Sequence, residues 1–121
     1  MGVDSDMRCF GSPERMRRRA DFERAYKGGT RIRARYATLF VTTNQLEVGR
    51  LGIAATRKLG GAVVRNRAKR LIREVFRRNK IAPGYDLVVV PKRELLGATL
   101  PAIEADYRKR LESRLRDRVA T

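Results

Sequence analysis

The spacing of apolar residues changes character several times along the chain, and each change marks an element. From Ala62 onward, Val64, Ala68, Leu71, Ile72 and Val75 recur at steps of three and four, which predicts a helix with one buried stripe. A last helix begins after Thr99 with Pro101 in its first turn, and Leu100, Ile103, Tyr107, Leu111 and Leu115 form its stripe. Near the start, Asp21 reads as an N-cap or first-turn acid of a short helix that places Phe22, Ala25 and Tyr26 on one face and stops at Gly28 and Gly29. Between these helices the period drops to two. Arg31 to Arg35 alternate with Ile32 and Ala34, Tyr36 to Thr43 continue in β-forming residues, Asn44 to Gly49 make a turn, and Arg50 to Thr56 complete a predicted hairpin. Asn79 to Gly84 form a loop, and Tyr85 to Val90 are a nearly continuous apolar run closed by Pro91, the mark of a strand covered on both faces. Residues 1–13 lack periodicity and read as a loosely ordered tail, leaving one domain over 14–121. The order is α-β-β-β-α-β-α, an α+β sandwich whose small central sheet is covered by helices mainly on one side.

Charge sharpens this picture. Arg57 to Arg78 hold nine basic residues against one acid, Glu74, in a chain of net charge +16. At about 100° per residue, Asn66, Lys69, Arg70, Arg73 and Arg77 lie opposite the apolar stripe, with Arg65, Arg67 and Arg78 on its flanks. A solvated helix face normally intersperses acids among its bases; this one presents a cationic ridge suited to a polyanion. Gly60 and Gly61 precede the helix, whose free N-terminal N–H groups favour phosphate. Arg15, Arg17, Arg18 and Arg19 form a second basic stretch, either a solvated tail or a phosphate-contacting arm. In the last helix, Lys109, Arg110, Arg114, Arg116 and Arg118 suit the C-terminal dipole as well as RNA, and a structural role is favoured for them.

The residues also narrow the chemistry. There is no histidine and a single cysteine, Cys9, which removes an internal disulfide, the commonest general base and every Ser-His or Cys-His nucleophile. Asp4 with Asp6, and Asp21 with Glu23, are close acid pairs but poor material for a two-metal nuclease site, and no protein-bound metal is expected. The first residues include Asp4, Asp6 and Arg8 where a secretory signal needs an apolar core, and the apolar runs are too short to span a bilayer. The basic helix carries no Trp, which disfavours an anionic membrane surface. A cytoplasmic, nucleic-acid-binding protein is expected, without a membrane partner.

One stretch carries more than a charge pattern. Gly60 to Arg77, reading GGAVVRNRAKRLIREVFR, closely resembles the signature of the bacterial ribonuclease P protein subunit, with matches including Gly60, Ala62, Val63, Arg65, Asn66, Lys69, Arg70, Arg73, Glu74, Phe76 and Arg77. The resemblance extends from the arginine arm through Asp21, Phe22, Gly29, Leu51 to Lys58 and Asp86 to Val90 into the last helix. It implies a small basic protein, one per catalytic RNA, that assists removal of the 5′ leader from precursor tRNA. The RNA would perform the hydrolysis with magnesium ions, with no cofactor held by the protein. It implies contact with the catalytic RNA at Arg57, Lys58, Arg65, Asn66, Arg67, Lys69, Arg70 and Arg73. A cleft between the first helix and the sheet would hold the single-stranded leader on Phe22, Tyr26 and Tyr36, where unpaired bases can stack. Spacing alone assigns Phe22 and Tyr26 to a core; the resemblance reassigns them to that cleft. It also implies a left-handed strand-helix-strand crossover, against the usual hand. Two departures stand out: Met16 replaces a usual leucine, and Ala37 stands where relatives often carry a second aromatic beside the cleft. The residue reading alone leaves two alternatives, a ribosomal or nucleoid binding module and a protein-only nuclease.

Overall fold

A computed structural model describes residues 14–120, with side chains as far as Ser113. The predicted tail, Cys9 and the side chains of Arg114, Leu115, Arg116 and Arg118 lie outside the described residues. The elements are α1 (Arg19–Gly28), β1 (Thr30–Arg33), β2 (Ala37–Thr43), β3 (Arg50–Ile53), α2 (Ala62–Arg78), β4 (Tyr85–Pro91), a 3-10 turn (Arg93–Gly97) and α3 (Leu100–Ala120). This is the predicted order. Asp21 sits in the first turn of α1 and does not cap it, since Arg18 occupies the N-cap position. At the start of α3 the backbone N–H of Ala102 donates to Thr99 Oγ1 at 3.3 Å. None of the helices, among the described residues, is long and apolar enough to cross a membrane.

The four strands lie in the order β1-β2-β4-β3. β1 and β2 form an antiparallel hairpin, turned at Ala34 to Ala37, where the N–H of Ala34 donates to the carbonyl of Ala37 at 3.0 Å. The hairpin expected between β2 and β3 does not form. β4 enters between them, antiparallel to β2 and parallel to β3. The reason is burial: Leu87, Val88 and Val89 are all buried, and only an inner strand has neighbours on both edges as well as cover on both faces. The Asn44 to Gly49 segment accordingly crosses the end of β4, with the N–H of Asn44 donating to the carbonyl of Gly84 at 2.9 Å. The arm before α1 adds to the outer edge of β3, where the N–H of Met16 donates to the carbonyl of Leu51 at 2.9 Å.

Alternation along the strands divides the interior into two cores. Leu39, Val41, Leu51, Leu87 and Val89 face α2, the 3-10 turn and α3, where they meet Ala68, Ile72, Val75, Phe76, Leu95, Ile103, Tyr107 and Leu111. Val88 faces the other way, with Ala25 and Met16 buried beside it and Phe22, Phe40, Ala54 and Val90 at the margin. Two helices thus cover one face and α1 the other. Phe76, 1% exposed, belongs to the α2 stripe with Ala68, Ile72 and Val75, a wider stripe than the predicted one. The Tyr107 hydroxyl donates to the carbonyl of Asn79 at 3.1 Å, joining α3 to the end of α2, and burial pushes its pKa well up.

One polar group lies fully inside. Asp86, the second residue of β4, is 0% exposed. Arg50 grips it with both ends of its fork, Nε to Oδ1 at 2.8 Å and Nη2 to Oδ2 at 2.7 Å. Asn44 Nδ2 donates to Oδ1 at 2.8 Å and Arg24 Nη2 to Oδ2 at 3.1 Å. Burial alone would push this carboxyl up, but the hydrogen bonds from Arg50, Asn44 and Arg24 outweigh it and hold the pKa below its ordinary 3.8. Asp21 adds a second carboxylate, 3.4 Å from Arg50 and 3.5 Å from Arg24. The cluster links α1, the segment after β2, β3 and β4. Asp86→Ala removes the bidentate partner of Arg50 and leaves it only the longer contact to Asp21, and is expected to cost about 3–5 kcal/mol, whereas Asp86→Leu with Arg50→Met restores most of the loss; urea unfolding measures both. Because the folded carboxyl titrates lower, the unfolded chain binds the extra proton. The contribution is therefore present above about pH 4 and lost as pH falls through the folded value, and Asp86→Ala should flatten the acid limb of stability against pH.

Candidate nucleic-acid interface

The α2 ridge forms as its periodicity requires, because Ala68, Ile72, Val75 and Phe76 fix which side is buried. Asn66, Arg67, Arg70 and Arg73 are exposed, and Arg65 and Lys69 are half-buried at the flanks, where their stems cover apolar surface. No ion pair engages Arg65, Arg67, Lys69, Arg70 or Arg73 among the described residues. Arg77 and Arg78 differ. Glu74 accepts from Arg77, and Arg78 Nε lies 3.2 Å from Glu74 and its Nη1 3.5 Å from Glu104. The hydrogen bond from Arg77, helped by Arg78, holds the Glu74 carboxyl below its usual range. Arg77, predicted on the ridge, is thus tied within the helix.

The turn before α2 carries Arg57 and Lys58, both exposed, around the buried anchor Leu59. Hydrogen bonds from Leu59 N to the Thr56 carbonyl at 3.0 Å and from Gly60 N to the Arg57 carbonyl at 3.2 Å hold its shape. Gly60 has φ +152°, and a Cβ there would meet Val64 at 2.9 Å. Gly61, the N-cap, has φ −74° and open space around it, so of the two glycines only Gly60 is demanded by conformation. No side chain caps the first N–H groups of α2. Arg57, Lys58 and the ridge therefore share one end of the molecule with an uncapped helix N-terminus, and the fully exposed side of Val63 lies beside it.

The aromatic group forms on the opposite face of the sheet. The ring of Phe22 lies over Gly52, where an added Cβ would come within 2.7 Å of it; the glycine in β3 makes room for the ring. Tyr26, 42% exposed, meets Phe40 edge-on, with centroids 5.0 Å apart and planes at 78°. Partial burial raises the Tyr26 pKa. Arg31 caps the other side, its guanidinium 5.9 Å from the Phe40 centroid. Phe22 and Tyr26 are brought together as expected, but Tyr36 is not with them. The chain bends at Arg35 and Tyr36, and the Tyr36 ring packs on the larger core, lining a small apolar cavity with Ala34, Ala37 and Leu39. Phe40 takes the third position. Alternation within β2 carried that signal, since Thr38, Phe40 and Thr42 share one face and Ala37, Leu39 and Val41 the other. Ala37, expected beside the cleft, is likewise buried in the larger core and lines the same cavity.

The chain is similar to known proteins in sequence and in fold. The ribonuclease P family model matches residues 10–114. The ribonuclease P protein component of Thermotoga maritima is 43% identical over 88 residues, covering 71% of this chain and 75% of that one. The Clostridioides difficile component is 34% identical over 98 residues, covering 78% and 86%. The solved ribonuclease P protein of Staphylococcus aureus superposes with a TM-score of 0.73 at 31% identity, over 84% of this chain and 94% of that one. With the family model matched across most of its length and relatives at 34–43% identity, the chain belongs to the ribonuclease P protein family.

Proposed function

We propose that this chain binds the catalytic RNA of ribonuclease P along α2 and grips the 5′ leader of precursor tRNA between α1 and the sheet. The observation that carries this reading is the placement of two different surfaces on opposite faces of one sheet. One is a helix ridge on which Arg65, Arg67, Lys69, Arg70 and Arg73 have no ion-pair partner among the described residues, the other a group of rings of which Tyr26 is exposed and Phe22 and Phe40 are half-buried. Arg65, Arg67, Lys69, Arg70 and Arg73, with Arg57, Lys58 and Asn66, offer donors to phosphates and sugars, and the planar guanidinium forks suit backbone oxygens. The uncapped N–H groups at the start of α2 add a site for a phosphate. Phe22, Tyr26 and Phe40 offer faces and edges on which unpaired bases stack without regard to sequence. Magnesium ions held by the RNA supply the hydrolytic chemistry. The protein's part is to offset phosphate repulsion and hold the leader, which raises substrate affinity and lowers the magnesium requirement.

The deciding experiment is precursor-tRNA cleavage at low magnesium with the protein alone, the cognate RNA alone and both. Cleavage by the pair only is expected; cleavage by the protein alone would point to a protein-only nuclease, and no enhancement in the pair to a general RNA-binding module. Arg65→Ala or Arg73→Ala should weaken association with the RNA subunit and reduce the log-log salt slope by about 0.7–0.9 per lost phosphate contact. A salt titration of the complex reads this directly. Phe22→Ala or Phe40→Ala should reduce affinity for precursor tRNA relative to mature tRNA by about 1–3 kcal/mol each, while Tyr36→Ala leaves that ratio unchanged. Binding of both substrates to the reconstituted holoenzyme checks all three variants.

A further inference from the structure

β1 is an edge strand, hydrogen-bonded to β2 on one side alone. Unpaired sheet edges invite pairing with other chains, and cations are a common protection. Arg31 and Arg33 would meet that need by themselves. Two observations go further. First, α3 comes up beside this edge, and Arg31, Ile32, Arg33, Arg110 and Ser113 line a groove of about 330 Å³. Its lining is one apolar residue, three arginines and a serine. Second, Arg31 belongs to two places at once: it lines this groove, and its guanidinium lies over the ring of Phe40 in the aromatic cleft. The groove therefore continues the cleft around the edge of the sheet.

The charge balance is one-sided. Asp106 is the carboxylate in contact with this group, 3.5 Å from Arg110 Nε and accepting from the backbone N–H of Arg35 at 2.9 Å. Neither Arg31 nor Arg33 has a carboxylate partner among the described residues. Same-face residues two apart on a strand are separated by about 6.6 Å, close to the step between successive phosphates of an extended single strand. A cationic track with that spacing, opening directly from a set of stacking rings, fits the backbone of single-stranded RNA leaving those rings.

We infer that the groove between β1 and α3 is a second binding segment for single-stranded RNA, holding through Arg31, Arg33 and Arg110 the phosphates of the leader that lie 5′ of the nucleotides stacked in the cleft. This rests on the cleft being the leader site. It makes the protein's contribution to affinity depend on leader length in two stages, one for the rings and one for the groove.

The test uses holoenzyme reconstituted with its cognate RNA and a series of precursor tRNAs whose leaders are shortened from the 5′ end. With the unaltered protein, affinity should rise as the leader first fills the cleft and rise again when it reaches the groove. Arg33→Gln with Arg110→Gln should abolish the second rise and leave the short-leader substrate unchanged, and the long-leader salt slope should fall by about 0.7 per lost contact. Phe22→Ala should weaken short and long leaders alike. If the double variant binds every leader as the unaltered protein does while Phe22→Ala still acts, the groove is overturned and the cleft stands. Equal loss on short and long leaders would also overturn it, placing those arginines against the RNA subunit or the tRNA body. If Phe22→Ala leaves every leader unaffected, the cleft reading fails, and the groove falls with it.

Discussion

The arrangement of this molecule depends on the buried carboxylate of Asp86. A lone charge in a protein interior is costly to bury, and here the cost is offset by a bidentate arginine, a second arginine and an amide from three other parts of the chain. Arg50 comes from β3, Asn44 from the end of β2 and Arg24 from α1. Of the three, Arg24 ties to β4 the helix that carries Phe22 and Tyr26.

Around this anchor the fold solves a problem of charge. A net charge of +16 repels itself, and a small domain has limited apolar area with which to resist. The strands place their alternating residues into two cores, and the cations are carried to the outside on α2, on the β1 edge and on the arm before α1. Acids are used sparingly and locally: Asp21 and Asp86 beneath α1, Glu74 and Glu104 at the end of α2, Asp106 beside Arg35 and Arg110. Each of them joins elements or turns together, while the central part of α2 is left without a carboxylate.

Much of this was legible in the sequence, because helices and strands announce themselves through local period. The stripes of α2 and α3, the short α1 and the doubly covered β4 all follow from spacing alone, and the cationic side of α2 follows from its stripe. Pairing was not legible. Nothing local in β2 or β3 says that a strand from beyond α2 will enter between them; that is settled by the competition of β4 for cover on every side. Tyr36 and Phe40 show a finer limit. Both are aromatic and four residues apart, so parity in one unbroken strand would place them on the same face. The bend at Arg35 and Tyr36 breaks the parity, and it depends on a hairpin turn that the alternation of Arg31 to Arg35 conceals. Asp86, a single acid at the head of an apolar run, was the visible sign of the buried cluster, but its partners lie 36 to 62 positions away.

Glu74 has a consequence for the size of what α2 can hold. Between Ala62 and Arg73 the helix rises about 18 Å, and over that length its outward cations are unengaged. Beyond it, Glu74 and Glu104 draw the final arginines back onto the protein. A polyanion laid along this helix would find the unengaged cations within roughly the first three turns, and beyond them arginines already engaged by carboxylates.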